Sequence, residues 1–275
     1  MTDRFEIEID GATFIGESEG FGLPVVFLHA GVADRRMWDE QMHSIGDAGY
    51  HVISYDRRGY GETESPDEPF SHVADLEAIL DRLSVHAAIF VGASMGGGLA
   101  IDFALENPDR AVGLVLIGTA LTGSEAPDVE EDVETLFDAR AYAAERKQWS
   151  SVNRIDAQIW LDGAGSEPNR VDGQIRELFL EMNGDHLAKP KLTEEEEPDS
   201  AVDNVGSLAM PVLFVAGELD FPHILERQEV LEDTLEDAFA VTIEDTAHLP
   251  SLERPDLFDP ILLEFLEALT GGDEE

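Results

Sequence analysis

A chain of 275 residues with 43% hydrophobic side chains can bury a sizeable core, as one large α/β domain or two small ones. Sixty acidic residues against seventeen basic ones leave a formal net charge of -43, and such a surface repels phosphate backbones, so no nucleic-acid partner is expected. Cysteine is absent, which removes disulfides, thiolate catalysis and cysteine-ligated metal sites.

The N-terminal ten residues lack a basic segment followed by an apolar run. No apolar stretch approaches the roughly 20 residues of a membrane-spanning helix. A soluble, cytoplasmic protein with no membrane partner is the expectation, as a monomer or small homo-oligomer.

Along the chain, Arg4 to Asp10 alternates Phe5, Ile7 and Ile9 with charged residues, the period of a half-exposed strand. Gly11 can turn it into a second, antiparallel strand around Ala12 to Glu17. Three short, nearly all-apolar runs follow, Pro24 to His29, His51 to Asp56 and Ala87 to Ala93, as for parallel strands buried on both faces. Helical patterns lie between them at Arg35 to Asp47 and His72 to Leu83, and another follows at Gly96 to Glu106, stopped by Pro108. After a strand at Gly113 to Thr119 the rhythm breaks. From about Leu121 to Leu208 the chain is acidic and helical in pattern, with the run Glu194 to Glu197 closed by Pro198. It resumes with a strand at Pro211 to Ala216, a helix at Ile224 to Glu236, a strand at Ala238 to Ile243 and a helix at Pro255 to Leu269, before the acidic tail Gly271 to Glu275. Alternating strands and helices predict an α/β fold with a mostly parallel sheet. The predicted division is a core of residues 1–120 and 209–275, interrupted by a helical insertion, 121–208.

The segment Gly92-Ala93-Ser94-Met95-Gly96 is G-x-S-x-G, set between a buried strand and a helix. A bare motif of this kind also occurs as a glycine-rich packing turn; the flanking strand and helix make Ser94 a candidate nucleophile. A sharp turn there pushes the hydroxyl off the sheet, and glycine is needed where side chains would strike backbone. The helix N-terminus favours negative charge nearby, and the Met95 N–H is a candidate oxyanion donor.

A serine hydroxyl needs a base, and the base an orienting carboxylate; after such an elbow the acid precedes the histidine in the chain. Of eight histidines, His248 follows the last predicted strand in a loop at a strand's carboxyl end, where active sites of open α/β sheets gather. His29 is read as a loop-fixing residue; His186 and His223 are weaker candidates, and His43, His51, His72 and His86 are surface or packing residues. Gly217-Glu218-Leu219-Asp220 places two carboxylates past a strand end, with Asp220 preferred and Glu218 the fallback. The second oxyanion donor is sought after the first parallel strand, at Gly31, with Val32 the near alternative.

Together His29-Ala30-Gly31, Asp56 to Gly61, Gly92 to Gly96, Gly217 to Asp220 and His248 make the chain resemble the α/β-hydrolase superfamily over nearly its whole length. The order matches capped, serine-nucleophile lactonases, carboxylesterases and C–C bond hydrolases. The resemblance implies an eight-stranded α/β-hydrolase fold and a Ser94-Asp220-His248 triad beneath a helical cap. No metal or organic cofactor is called for. Haloalkane dehalogenases and epoxide hydrolases of the superfamily carry aspartate at the elbow, so Ser94 argues against both. Ala30 departs from the usual glycine and perturbs the loop little. A small ester or lactone is the expected substrate; C–C bond hydrolysis, perhydrolysis and a non-catalytic ligand-binding role stay open. Phe137, Trp149, Trp160 and Phe179 of the insertion are candidates either for pocket walls or for the cap's own core. The acidic composition resembles that of cytoplasmic proteins from extreme halophiles: at about 1 M salt the Debye length falls to roughly 3 Å and self-repulsion is screened.

Overall fold

The computed structural model describes residues 2–196 and 198–271; Met1, Glu197 of the acidic run and the tail beyond Gly271 lie outside them. Among these residues eight strands form one sheet: β1 (Asp3–Ile9), β2 (Ala12–Glu19), β3 (Pro24–Leu28), β4 (His51–Tyr55), β5 (Ala88–Ala93), β6 (Ala111–Ile117), β7 (Val212–Gly217) and β8 (Ala238–Ile243). Their spatial order is β1-β2-β4-β3-β5-β6-β7-β8. The Asp10-Gly11 pair, both at positive φ, makes the tight turn that folds β2 back on β1. β2 joins β4 antiparallel, and every pairing from β4 to β8 is parallel. This is the α/β-hydrolase arrangement the sequence predicts.

Side-chain alternation assigns the strands' two faces. Val26, Leu28 and Phe90 enter one apolar cluster with Phe103 and Leu114, while Val25, Phe27, Ile89 and Val91 enter the other with Trp38 and Phe258. Helices α1 (Asp39–Asp47), α2 (His72–Arg82) and α3 (Met95–Glu106) follow β3, β4 and β5. The single helix expected over Arg35 to Asp47 is divided. Asp34 accepts from the Arg36 N–H and caps a 3-10 turn, Arg35–Trp38, before α1 begins.

Between β6 and β7 the chain forms α4 (Glu131–Glu145), α5 (Trp149–Asp156), a π-helix at Ala157–Gly163 and α6 (Gly173–Ala188). These helices rest on the rest of the molecule through Leu161, Phe179 and Met182, which enter the apolar cluster of Trp38 and Phe258, and through polar anchors. Arg36 pairs with Glu181 and Asp185, and Lys189 donates to the carbonyls of Tyr60 and Thr63. Further on, Ala201, Val205 and Leu208 pack in the same apolar cluster as Phe103 of α3. The C-terminal part adds α7 (Pro222–Thr234), the short α8 (Pro250–Glu253) and α9 (Pro255–Thr270). No helix among the described residues is long and apolar enough to cross a membrane.

Candidate active site

Ser94 sits between β5 and α3 with φ 53° and ψ -116°, a backbone conformation that costs energy for any residue with a Cβ. The flanking glycines are sterically obligatory. A Cβ on Gly92 would lie 2.4 Å from the Gly96 carbonyl oxygen, and one on Gly96 would lie 2.1 Å from the Leu28 oxygen. The elbow is also tied to its neighbour strand: Ser94 N–H donates to Ile117 O (2.8 Å) and Ala120 N–H to Ser94 O (3.1 Å).

Loops from β7 and β8 bring Asp220 and His248 together. His248 Nδ1 lies 2.9 Å from both Asp220 carboxylate oxygens. A carboxylate only accepts, so Nδ1 carries the proton and Nε2 presents its lone pair. That Nε2 is buried and has no hydrogen-bond partner among the described residues, the Ser94 hydroxyl included. The hydrogen bond from a nucleophile to its base is commonly long before substrate binds. Ser94 and the pair nevertheless share a wall. Gly118 directly follows Ile117, and a Cβ there would lie 3.0 Å from the His248 ring and 3.1 Å from Asp220. Gly118 has φ +51°, which favours glycine independently of the space. Sequence reading passed over it; its signal was a lone glycine at the carboxyl end of a buried strand.

Glu218 turns away, accepting from the Asp245 N–H at 3.2 Å. His29 cannot serve as base. Its Nε2 lone pair accepts from the Arg57 N–H (3.1 Å), its Nδ1 faces Ala30 O (2.8 Å), and burial with the neighbouring Arg57 charge holds its pKa well below the usual value. It fixes the loop after β3 to the turn after β4. That loop brings Gly31 against Met95, since a Cβ on Gly31 would fall 2.4 Å from the Met95 sulfur. Val32 stands beside Gly31, its side chain packed on the core.

His186 stacks on Tyr60 with ring centroids 4.3 Å apart, and burial lowers its pKa. His223 lies 5.4 Å from Phe221. The insertion's four aromatic candidates separate cleanly. Trp160 lies 4.9 Å from the His248 ring and 5.4 Å from Phe221, and Phe137 lies 6.2 Å from both Trp160 and Phe221. Phe179 is fully buried in the core, and Trp149 is surface-exposed. Two cavities flank the site. One of about 560 Å³ has Asp220, Phe221 and His223 in its wall; one of about 380 Å³ has Met95, Leu99 and Arg57. Among the described residues no group of three or more His, Asp or Glu side chains is placed to hold a metal ion.

Residues 24–255 match the alpha/beta hydrolase fold family. The chain belongs to the α/β-hydrolase family. A non-heme chloroperoxidase of Streptomyces lividans is 34% identical over 265 residues, covering 90% of this chain and 92% of that one. An epoxide hydrolase of Caballeronia sordidicola is 30% identical over 173 residues, and this match spans 60% of the chain but only half of that relative's length. Among solved structures, a thermophilic esterase from Thermogutta terrifontis is similar with a TM-score of 0.77 and 26% identity, covering 97% of this chain and 99% of the other.

Proposed function

We propose that this α/β-hydrolase is a serine hydrolase that cleaves a small carboxylic ester or lactone through an acyl-enzyme, in a cytoplasm of high salt. The observation that carries the reading is the His248 imidazole, its Nδ1 held 2.9 Å from both oxygens of Asp220 and its Nε2 buried without a partner among the described residues. An imidazole with one nitrogen fixed by a carboxylate and the other free to take a proton is the acid–base arrangement that a serine nucleophile needs.

Ser94 Oγ attacks the substrate carbonyl and passes its proton to His248 Nε2; Asp220 stabilises the imidazolium. The N–H groups of Met95 and of Gly31 or Val32 stabilise the oxyanion. Collapse expels the alkoxide, which takes the proton from His248. Water then attacks the acyl-enzyme with His248 as base, releasing the acid and restoring Ser94. Trp160, Phe137 and Phe221 would bound the apolar part of the substrate. The similarity to the Thermogutta esterase supports this chemistry. The partial match to an epoxide hydrolase does not, because serine stands at the elbow.

The Streptomyces chloroperoxidase favours a second reading on the same triad, in which hydrogen peroxide replaces water as acyl acceptor and a peracid leaves. A screen of short-chain esters and lactones in multimolar potassium chloride, with and without peroxide, tests both. Ester turnover with covalent labelling of Ser94 by a fluorophosphonate is expected. An unlabelled, fully folded protein would overturn the reading.

A further inference from the structure

The loop carrying His248 is gripped by one side chain of the insertion. Arg170 Nε donates to Asp162 O (2.7 Å), Nη1 to Asp245 O (2.7 Å), and Nη2 to Leu161 O (2.9 Å) and to the Glu253 carboxylate (2.5 Å). Each acceptor belongs to a segment touching the base. Leu161 and Asp162 lie in the π-helix directly after Trp160, whose ring packs on His248. Asp245 lies three residues before the histidine. Glu253, almost fully buried, turns its other oxygen to the Ala247 N–H (2.8 Å), next to His248. Burial pushes its carboxyl up, and Arg170 is the strongest opposing influence. Arg170 is itself held: Asp162 accepts from the N–H groups of Asn169 and Val171 and from Arg176.

Two features make this more than a surface ion pair. A π-helix is rare and frequently found at functional sites, and here its carbonyls face the Arg170 side chain. A four-acceptor fork also needs the planar guanidinium; an ammonium at the same place could not reach all four.

We propose that Arg170 is a positioning residue for His248, seating the π-helix with Trp160 and the Glu253-held loop so that the imidazole stands correctly between Asp220 and Ser94. The proposal rests on the triad reading, and it makes the state of the insertion a determinant of the base's geometry and not only of substrate access.

The test compares Arg170→Met with Lys189→Met, which removes an insertion-to-core anchor at Tyr60 and Thr63 without touching the histidine loop. Both are assayed in multimolar potassium chloride for kcat and KM on a nitrophenyl ester and for the downfield proton resonance of His248 Nδ1. Arg170→Met should lose about 10- to 100-fold in kcat with KM changed by less than about threefold, the signature of a displaced catalytic group. Its Nδ1 resonance should shift or broaden, and Lys189→Met should keep both properties. Wild-type kcat and resonance in Arg170→Met would overturn the proposal, as would equal losses in the two variants, since general loosening of the insertion would then suffice. If Arg170→Met does not fold by near-UV circular dichroism, Glu253→Gln carries the same test, because it keeps an oxygen for the Ala247 N–H and loses the ion pair. Should the wild type fail to react with a fluorophosphonate, the triad reading falls, while the Nδ1 resonance still reports on the tether.

Discussion

Ser94 and His248 are positioned in opposite ways. The serine is held by its own neighbourhood: a strand before it, a helix after it, and glycines two residues either side that the backbone cannot do without. The histidine sits in a loop held by other segments: Asp220 on the ring, Glu253 on the backbone, Trp160 against its face and Gly118 beneath it. Local sterics suffice for the proposed nucleophile, whose strain lies in its own dihedral angles. The proposed base, which would have to meet both an acid and a nucleophile, depends on contacts between distant parts of the chain.

Substitutions can break this contrast at either end. Ser94→Ala should remove about 10^6-fold of kcat on an ester, the scale on which loss of a triad serine acts, with folding unchanged. Asp220→Asn should cost about 10^4-fold, since an amide can stabilise the wrong tautomer of the imidazole. The matched Glu218→Gln should stay within about twofold of wild type, because among the described residues that carboxylate hydrogen-bonds only the Asp245 N–H. Parallel steady-state assays check all three, and an inactive Glu218→Gln with an active Asp220→Asn would transfer the acid's role.

Gly118→Ala tests the shared wall. Its methyl would meet the His248 ring at 3.0 Å, so kcat should fall about 100-fold while Ser94 labelling slows in step. If labelling proceeds at the wild-type rate, the wall does not align the base.

The smallest effect concerns stability. Burial pushes the Asp102 carboxyl on α3 up to about 6, with Thr122 donating to one oxygen and the other without a partner among the described residues. A carboxyl whose folded pKa is raised binds its proton more tightly when folded, so its stabilising contribution exists at low pH and is lost as pH rises through about 6. Asp102→Asn should therefore raise stability by on the order of 2 kcal/mol above that pH, with the gain vanishing near the unfolded pKa of about 4. Denaturant melts at the two pH values check the sign.

Much of the fold was legible because strands buried on both faces must be apolar and the glycines of the elbow have no substitute. The order of Ser94, Asp220 and His248 was readable for the same reason, each following a strand end. The insertion was less so: Trp160 and Phe179 are both aromatic residues in helical surroundings, yet one faces the base and the other the core. Arg170 gave no signal at all. In so acidic a chain any arginine has carboxylates near it in sequence, and its actual partner, Glu253, is 83 residues away.

What the sequence determined by itself is therefore the sheet, the elbow and the candidate catalytic side chains, all governed by short-range periodicity and steric limits. Tertiary structure alone decided that Gly118 lies beneath the Asp220–His248 pair, and that Trp160 and Arg170 reach the histidine loop from the insertion. These depend on how loops from different strands converge, and no local pattern of residues encodes that convergence.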